Sequence, residues 1–237
     1  MRYMQRDPNR EMMTQVVLQL GELAEQLIFV GGVTAGLLIT DPAAPSVRPT
    51  KDVDVITIIK SHTDYYAFGD ALRARGFKED QSDGAPLCRW ISGGWILDVM
   101  PIDSNILGFS NRWYELAAET AEPTQLVNDV MIRVISAPCF LGTKFEAFHG
   151  RGRGDFIGSH DMEDMIGVIE GRPELINECA QAPDELRRYL QAQFTALIAN
   201  NGFNQALPGH VLDAGRLPIV RQRLAAIAMG HVEGTVK

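Results

Sequence analysis

Apolar residues recur at intervals of three and four from about Asn9 to Leu27, where Met12, Val16, Leu20, Leu23 and Leu27 share one side. That spacing predicts an amphipathic helix packed on the rest of the fold. An unbroken apolar run, Leu27 to Val30, comes next and leads into Gly31 and Gly32, then into a short helical pattern from Val33 to Ile39. From Arg48 to Ile59 the chain reads RPTKDVDVITII, a strand in which Asp52 and Asp54 alternate with Val53 and Val55. The two carboxylates then project from one face, roughly 7 Å apart along the chain, while the valines point inward. Ser61 can cap a helix to Arg75, whose stripe of Tyr65, Phe68 and Leu72 ends before Gly76. After the polar loop 78–86 come two expected strands, Leu87–Ser92 and Gly94–Ile102, joined as a hairpin at Gly93 and Gly94.

A helical stretch from Arg112 to Glu122 and a strand from Asp129 to Ser136 complete the first half. Pro138 then opens a region that is helical with breaks, its apolar residues again at three and four, and whose acidic and basic run at 184–188 reads as a solvated face. The pattern predicts an α+β fold: residues 1–136 form a mixed sheet with flanking helices, and residues 137–237 form a helical C-terminal domain.

The chemistry is concentrated where the strand pattern holds acids. Asp52 and Asp54 on one strand face can share one or two divalent cations, the arrangement many enzymes use to hold a triphosphate for in-line displacement. A wet strand face is the ordinary alternative. The turn at Gly31 and Gly32 can bring backbone N–H groups close to a phosphate, although structural turns with these letters are common. In the strand 94–102, Asp98 lies among apolar residues, where an unpaired carboxylate costs several kcal/mol unless a cation or hydrogen bonds meet it. Asp98 is therefore a candidate for a third acid, with an end-of-strand residue reaching solvent as the ordinary alternative, one that explains Asp103, after Pro101, more easily. Trp90, Trp95 and Trp113 are read as core residues before base-stacking ones.

These segments, FVGG at 29–32, RPTKDVDVI at 48–56, ILDVMP at 96–101 and TKFEAFHGRGRGDFIGSHDMED at 143–164, resemble the nucleotidyltransferase superfamily that includes DNA polymerase beta, and within it the AbiEii/AbiGii-type abortive-infection toxins. The resemblance spans about Phe29 to Asp164. It implies a glycine turn (Gly31, Gly32) for the triphosphate, Asp52, Asp54 and Asp98 as Mg2+ ligands, two ions being allowed, and transfer of a nucleoside monophosphate from a nucleoside triphosphate to an acceptor. Thr50 and Lys51, leading into the acidic strand, are the further nucleotide contacts it implies. Two departures stand out. Gly32 occupies a position that is often Ser in the superfamily, which removes one hydroxyl ligand, and the insert at 41–49, DPAAPSVRP, lengthens the path to Asp52.

Lys144 lies beside the stripe of Leu141, Phe145 and Phe148, so its ammonium can either reach a triphosphate in a cleft between domains or lie along the surface. The resemblance assigns it, in its KxxA segment, to the active site. Arg151 and Arg153 on the glycine-rich loop are candidate contacts for nucleotide or acceptor phosphates, or simply solubilising loop residues. Asp161 and Asp164 open the helix after Ser159, where a helix dipole favours acids. Their spacing puts both on one flank, toward Lys144 if the helices pair, and the resemblance implies that one of them orients the lysine or the acceptor. Spacing does not choose between them. A different catalytic reading takes His160 and Asp161, with His149, as the metal ligands of an HD-type phosphohydrolase; it leaves Asp52 and Asp54 without a role. An inactive fold that binds a nucleotide or a partner is a third.

Composition narrows the partners. A chain of 237 residues, 46% hydrophobic, can bury one large core or two modest ones, and its formal charge of −8 argues against a general nucleic-acid-binding surface. A local basic patch, with transfer RNA as acceptor, remains compatible, as does a small acceptor of the aminoglycoside kind. The toxin resemblance also implies an antitoxin partner. Cys88, Cys139 and Cys179 are few, odd in number and without metal spacing, so reduced buried thiols in a cytoplasmic protein are expected. The N-terminus carries charges of both signs and no long apolar run, and the stretch Leu27–Ile39 is too short to span a bilayer, so neither a signal peptide nor a membrane segment is expected.

Overall fold

The computed structural model describes residues 7–126, 130–152 and 154–230. The chain is α+β and divides into two compact units. One comprises the segment ending at Gly36 together with Arg48–Ser136; the other comprises Leu37–Val47 and the chain from Ala137 onward.

The first unit is built on a mixed seven-stranded sheet: β1 (Leu27–Val30), β2 (Asp52–Thr57), β3 (Lys78–Glu79), β4 (Arg89–Ser92), β5 (Trp95–Pro101), β6 (Glu122–Gln125) and β7 (Met131–Val134), in the order β3-β4-β5-β2-β1-β7-β6. β2 lies between β1, which runs antiparallel to it, and β5, which runs parallel. All four residues of β1 are buried, as are Val53, Val55 and Ile56 of β2, in keeping with an apolar run in the middle of a covered sheet.

Helix α1 (Pro8–Leu20) is capped by Asp7, whose carboxylate accepts from the Asn9 N–H, and it buries Met13, Val16 and Leu20. The periodicity that predicts a helix as far as Leu27 is interrupted at Gly21, which has φ +56° and ends α1; residues 21–26 continue as a 3-10 turn. Helix α2 (Ala35–Leu38) is a single turn. Helix α3 (His62–Ala74) has Ser61 as its cap, accepting from the Asp64 N–H, and buries Phe68 and Leu72. Asp103 caps the short α4 (Ser104–Leu107).

Two strands depart from the sequence pattern. Lys78–Glu79 is a two-residue edge strand inside a segment whose letters read as loop. Helix α5 (Tyr114–Glu119) is shorter than the stretch 112–122, because Glu122–Gln125 pairs with β7 at the other edge. Its EPTQ letters carry no apolar alternation, and Pro123 is tolerated there because an edge strand can spare an N–H. β7 falls within the expected strand 129–136, of which Asp129 lies outside the described residues.

The second unit contains α6 (Ala137–Arg151), α7 (His160–Gly171), α8 (Leu175–Gln181), α9 (Asp184–Ala199), α10 (Asn201–His210) and α11 (Leu217–Met229). Its core includes Phe140, Phe145, Ile166, Leu190, Phe194 and Leu224, with Phe145 and Phe194 edge to face at 5.0 Å. Asp184 pairs with Arg187 and Arg188 on the solvated face of α9. Leu37–Val47, which holds much of the proline-rich insert, belongs here: the N–H groups of Thr40 and Asp41 donate to the Gly171 carbonyl at 3.0 and 2.9 Å, and Arg216 binds Asp41 at 2.7 Å. A side chain at Gly171 would run into Ile39. Cys88, Cys139 and Cys179 are free and buried. No helix among the described residues is long and apolar enough to cross a membrane.

One buried polar residue fixes the entry into β2. Asn9, 1% exposed, donates from Nδ2 to the Arg48 carbonyl at 2.9 Å and accepts from the Thr50 N–H at 2.8 Å. Asn9→Ala leaves two backbone groups without these partners and is expected to cost about 1–3 kcal/mol, read by urea denaturation. An unchanged midpoint would show that the clamp is dispensable.

Candidate functional site

The register of three strands brings the predicted acids together. Asp54 lies opposite Val30 of β1 on one side and opposite Asp98 of β5 on the other. Residues opposite one another on neighbouring strands share a face, and Asp52, two residues along β2, shares it too. Val53 and Val55, on the other face, are fully buried, whereas Asp52 and Asp54 are half-buried. One carboxylate oxygen from each of Asp52, Asp54 and Asp98 falls within 4.8 Å of the others. Three oxygen donors at that separation suit a hard divalent cation, and no His or Cys belongs to the group.

The glycine turn abuts this cluster. Gly31 has φ +70°, and a Cβ there would collide with the Asp54 carboxylate, so both its backbone conformation and the space beside it demand glycine. Beyond the turn the backbone departs from the sequence pattern. The expected helix from Val33 to Ile39 is a 3-10 turn, Gly32–Thr34, plus the single turn of α2, so no extended helix dipole points from this turn. Thr34 closes it, its Oγ1 donating to the Gly31 carbonyl at 2.8 Å. Gly31 therefore acts here by close backbone approach. Thr50 is held by Asn9, and Lys51 beside it is exposed.

Sequence reasoning missed Arg89. Its side chain forks onto Asp98, Nε to Oδ1 at 2.9 Å and one terminal nitrogen to Oδ2 at 2.7 Å, and the same nitrogen lies 3.5 Å from Asp52. Asp98, only 6% exposed, thus has the charged partner its burial requires. The hydrogen bonds to Asp98 hold the guanidinium pKa above its ordinary value. Burial, and then the Asp98 charge, push the neighbouring Cys88 thiol up to about 12, away from the thiolate form. Tyr65 is likewise pushed upward, chiefly by burial, and donates its hydroxyl to the Val99 carbonyl at 2.9 Å. Trp90 and Trp113 are buried, as a core role requires, whereas Trp95 is only half-buried.

Within the second unit, α6 and α7 assemble a separate charged group. Lys144 is neither along the surface nor free: it is 6% exposed, and its ammonium donates to Asp164 at 2.6 Å and to Asp161 at 3.0 Å. Arg151, at the end of α6, forks onto Asp161 at 2.9 and 3.0 Å with most of its own side chain in solvent. Both acids therefore meet the lysine. Burial alone would lower the Lys144 pKa, but Asp164 and Asp161 outweigh it and hold it above the usual value. Burial likewise opposes ionisation of Asp161, and Arg151 and Lys144 outweigh it, leaving that carboxyl below its usual value. Arg153 lies outside the described residues. His160 is exposed and pairs with Glu163, and Asp161 is taken up by Lys144 and Arg151, so the HD-type reading finds no cluster among the described residues.

No protein-family model matches this chain, and no curated protein does.

Gly31→Ala is expected to displace the Asp54 carboxylate, and to lower stability by more than the roughly 1 kcal/mol of an ordinary glycine effect because of the positive φ. A wild-type midpoint in urea would contradict the close approach. For the lysine cluster, the depressed Asp161 contributes stability that is present above its unfolded value near 3.8 and is lost as pH falls through the lower folded value. The raised Lys144 contributes stability that is present below 10.5 and is lost as pH rises through its folded value. Lys144→Ala is therefore expected to cost about 3–5 kcal/mol at neutral pH, with the difference from wild type shrinking in acid. A pH-independent difference would contradict this charge pairing.

Proposed function

We propose that the protein is a magnesium-dependent nucleotidyltransferase that moves a nucleoside monophosphate from a nucleoside triphosphate to an acceptor. One observation carries the reading: three carboxylates, Asp52, Asp54 and Asp98, converge on one sheet face hard against a glycine turn. An all-oxygen donor set fits Mg2+ or Mn2+ better than a softer metal. When bound, such a cation supplies charge neutralisation of the triphosphate and polarisation of the attacked phosphorus.

The chain's own residues supply the rest. Asp52 and Asp54, on a strand whose other face is fully buried, would hold the cation at a fixed place on the sheet. Asp98, the most buried of the three, is the residue proposed to accept the acceptor hydroxyl's proton. Gly31 leaves room for the Asp54 carboxylate, and the resemblance makes Gly31 and Gly32 the turn that takes the triphosphate. The resemblance adds Thr50 and Lys51 as further nucleotide contacts of the first unit; within the second unit Asp161 and Asp164 keep the buried Lys144 charged. The resemblance also supports a toxin of a toxin–antitoxin or phage-defence pair, with transfer RNA as acceptor and a cognate antitoxin as partner. A small, aminoglycoside-like acceptor is the second reading, favoured by the formal charge of −8, which opposes binding of a large polyanion.

The test is label transfer from each α-labelled nucleoside triphosphate with Mg2+, offering bulk RNA, protein and aminoglycosides separately. Label is expected on one acceptor and at background with Asp52→Ala or Asp54→Ala. Both variants should keep the wild-type circular dichroism and a thermal midpoint no lower than that of wild type, since each removes one of three mutually repelling charges. Transfer at the wild-type rate by both would end the mechanism, and no magnesium-dependent nucleotide binding at all would end the assignment.

A further inference from the structure

The fork of Arg89 on Asp98 puts a fixed positive charge where a divalent cation would take its third ligand. The register of the two strands brings the partners together: Arg89 lies directly opposite Asp98 in the β4–β5 hairpin, and the Arg89 carbonyl accepts from the Asp80 N–H at 3.0 Å. Both Asp98 oxygens accept from the guanidinium, and its terminal nitrogen leans on to Asp52, a second acid of the same cluster. The arginine side chain is itself 23% exposed, so solvent reaches it and the fork can open without unpacking the core.

We propose that Arg89 is the resident counter-ion of the carboxylate cluster, a positioning residue that a divalent cation must displace from Asp98 in order to be fully ligated. This rests on the cation site proposed above and concerns its control. In the cation-free protein Arg89 neutralises the buried Asp98 and occupies both of its carboxylate oxygens. On loading, Asp98 exchanges a bidentate hydrogen-bonded partner for a metal bond, and the guanidinium, still anchored on β4, becomes free to bind an anion such as a phosphate. The exchange makes the site a weak binder of free cation. Two like charges a few ångströms apart in a partly buried place repel strongly, so the arginine opposes any cation that arrives without accompanying negative charge.

The sign of the effect separates this role from a structural one. A residue that merely supports the site would weaken cation binding when removed, whereas a competitor would strengthen it. Mn2+ alone, followed by the loss of its free electron-paramagnetic-resonance signal and without nucleotide, is the probe. Arg89→Gln is expected to bind Mn2+ about tenfold or more tightly than wild type. Its cation-free thermal midpoint should be lower, because Asp98 has lost its partner, and should recover with Mn2+. Arg89→Lys, which keeps the charge but loses the fork, should fall between the two. If Arg89→Gln folds only with Mn2+ present, Arg89→Lys carries the comparison: tighter Mn2+ binding than wild type supports the exchange, and equal or weaker binding overturns it. Equal or weaker Mn2+ binding by folded Arg89→Gln overturns it.

Asp54→Asn separates this failure from that of the site. If Asp54→Asn loses Mn2+ while Arg89→Gln binds as wild type does, only the role of Arg89 falls. If neither wild type nor Arg89→Gln takes up Mn2+, the cation site and the exchange fall together.

Discussion

Three carboxylates whose oxygens lie within 4.8 Å of one another repel, and a fold that holds them so must do it against that repulsion. Here the constraint is met by the backbone: the parallel pairing of β2 with β5 sets Asp54 opposite Asp98, and the antiparallel β1 locks β2 from the other side. The residues behind the acids, Val53, Val55, Leu97 and Val99, have no exposure at all. Sliding either strand by one residue would send the acids into the core and the valines to the wet face, so hydrophobic burial fixes the position of the charges. Gly31 and Arg89 are the two accommodations this demands, one by giving space and the other by giving charge.

Much of this is legible in the letters. The alternation of Asp and Val in 52–55 places both acids on one face, and the apolar surroundings of Asp98 mark it as needing a partner. Arg89 escaped notice, yet its signal is present. A two-residue hairpin at Gly93 and Gly94 pairs Ser92 with Trp95, and counting outward pairs Arg89 with Asp98, as the structure has it. What the letters do not carry is the pairing of non-adjacent strands: nothing local to β2 or β5 states that they are neighbours. The helix boundaries fail for a similar reason. At Gly21 the apolar period runs on while the backbone turns, and β6 owes its existence to β7 rather than to its own residues.

The helical unit shows the complementary case. Sequence spacing sets Asp161 and Asp164 on one flank, but whether Lys144 is a surface or a buried residue depends on how α6 meets α7. The structure encloses the ammonium with both acids, and Arg151 covers Asp161 from the solvent side. A buried lysine remains charged only where such partners offset its lost hydration, and the two acids do so. Charge placement in both units obeys one rule: Asp98 on β5 and Lys144 on α6, each deeply buried, are matched by opposite charge on the neighbouring element.

The most direct measurement is the anomalous scattering of crystals grown with Mn2+. The expected result is a peak bound by oxygens of Asp52, Asp54 and Asp98, with Arg89 turned away from Asp98. Ordered, metal-free carboxylates in those crystals, with Arg89 still forked on Asp98 at saturating Mn2+, would contradict a cation site on this sheet.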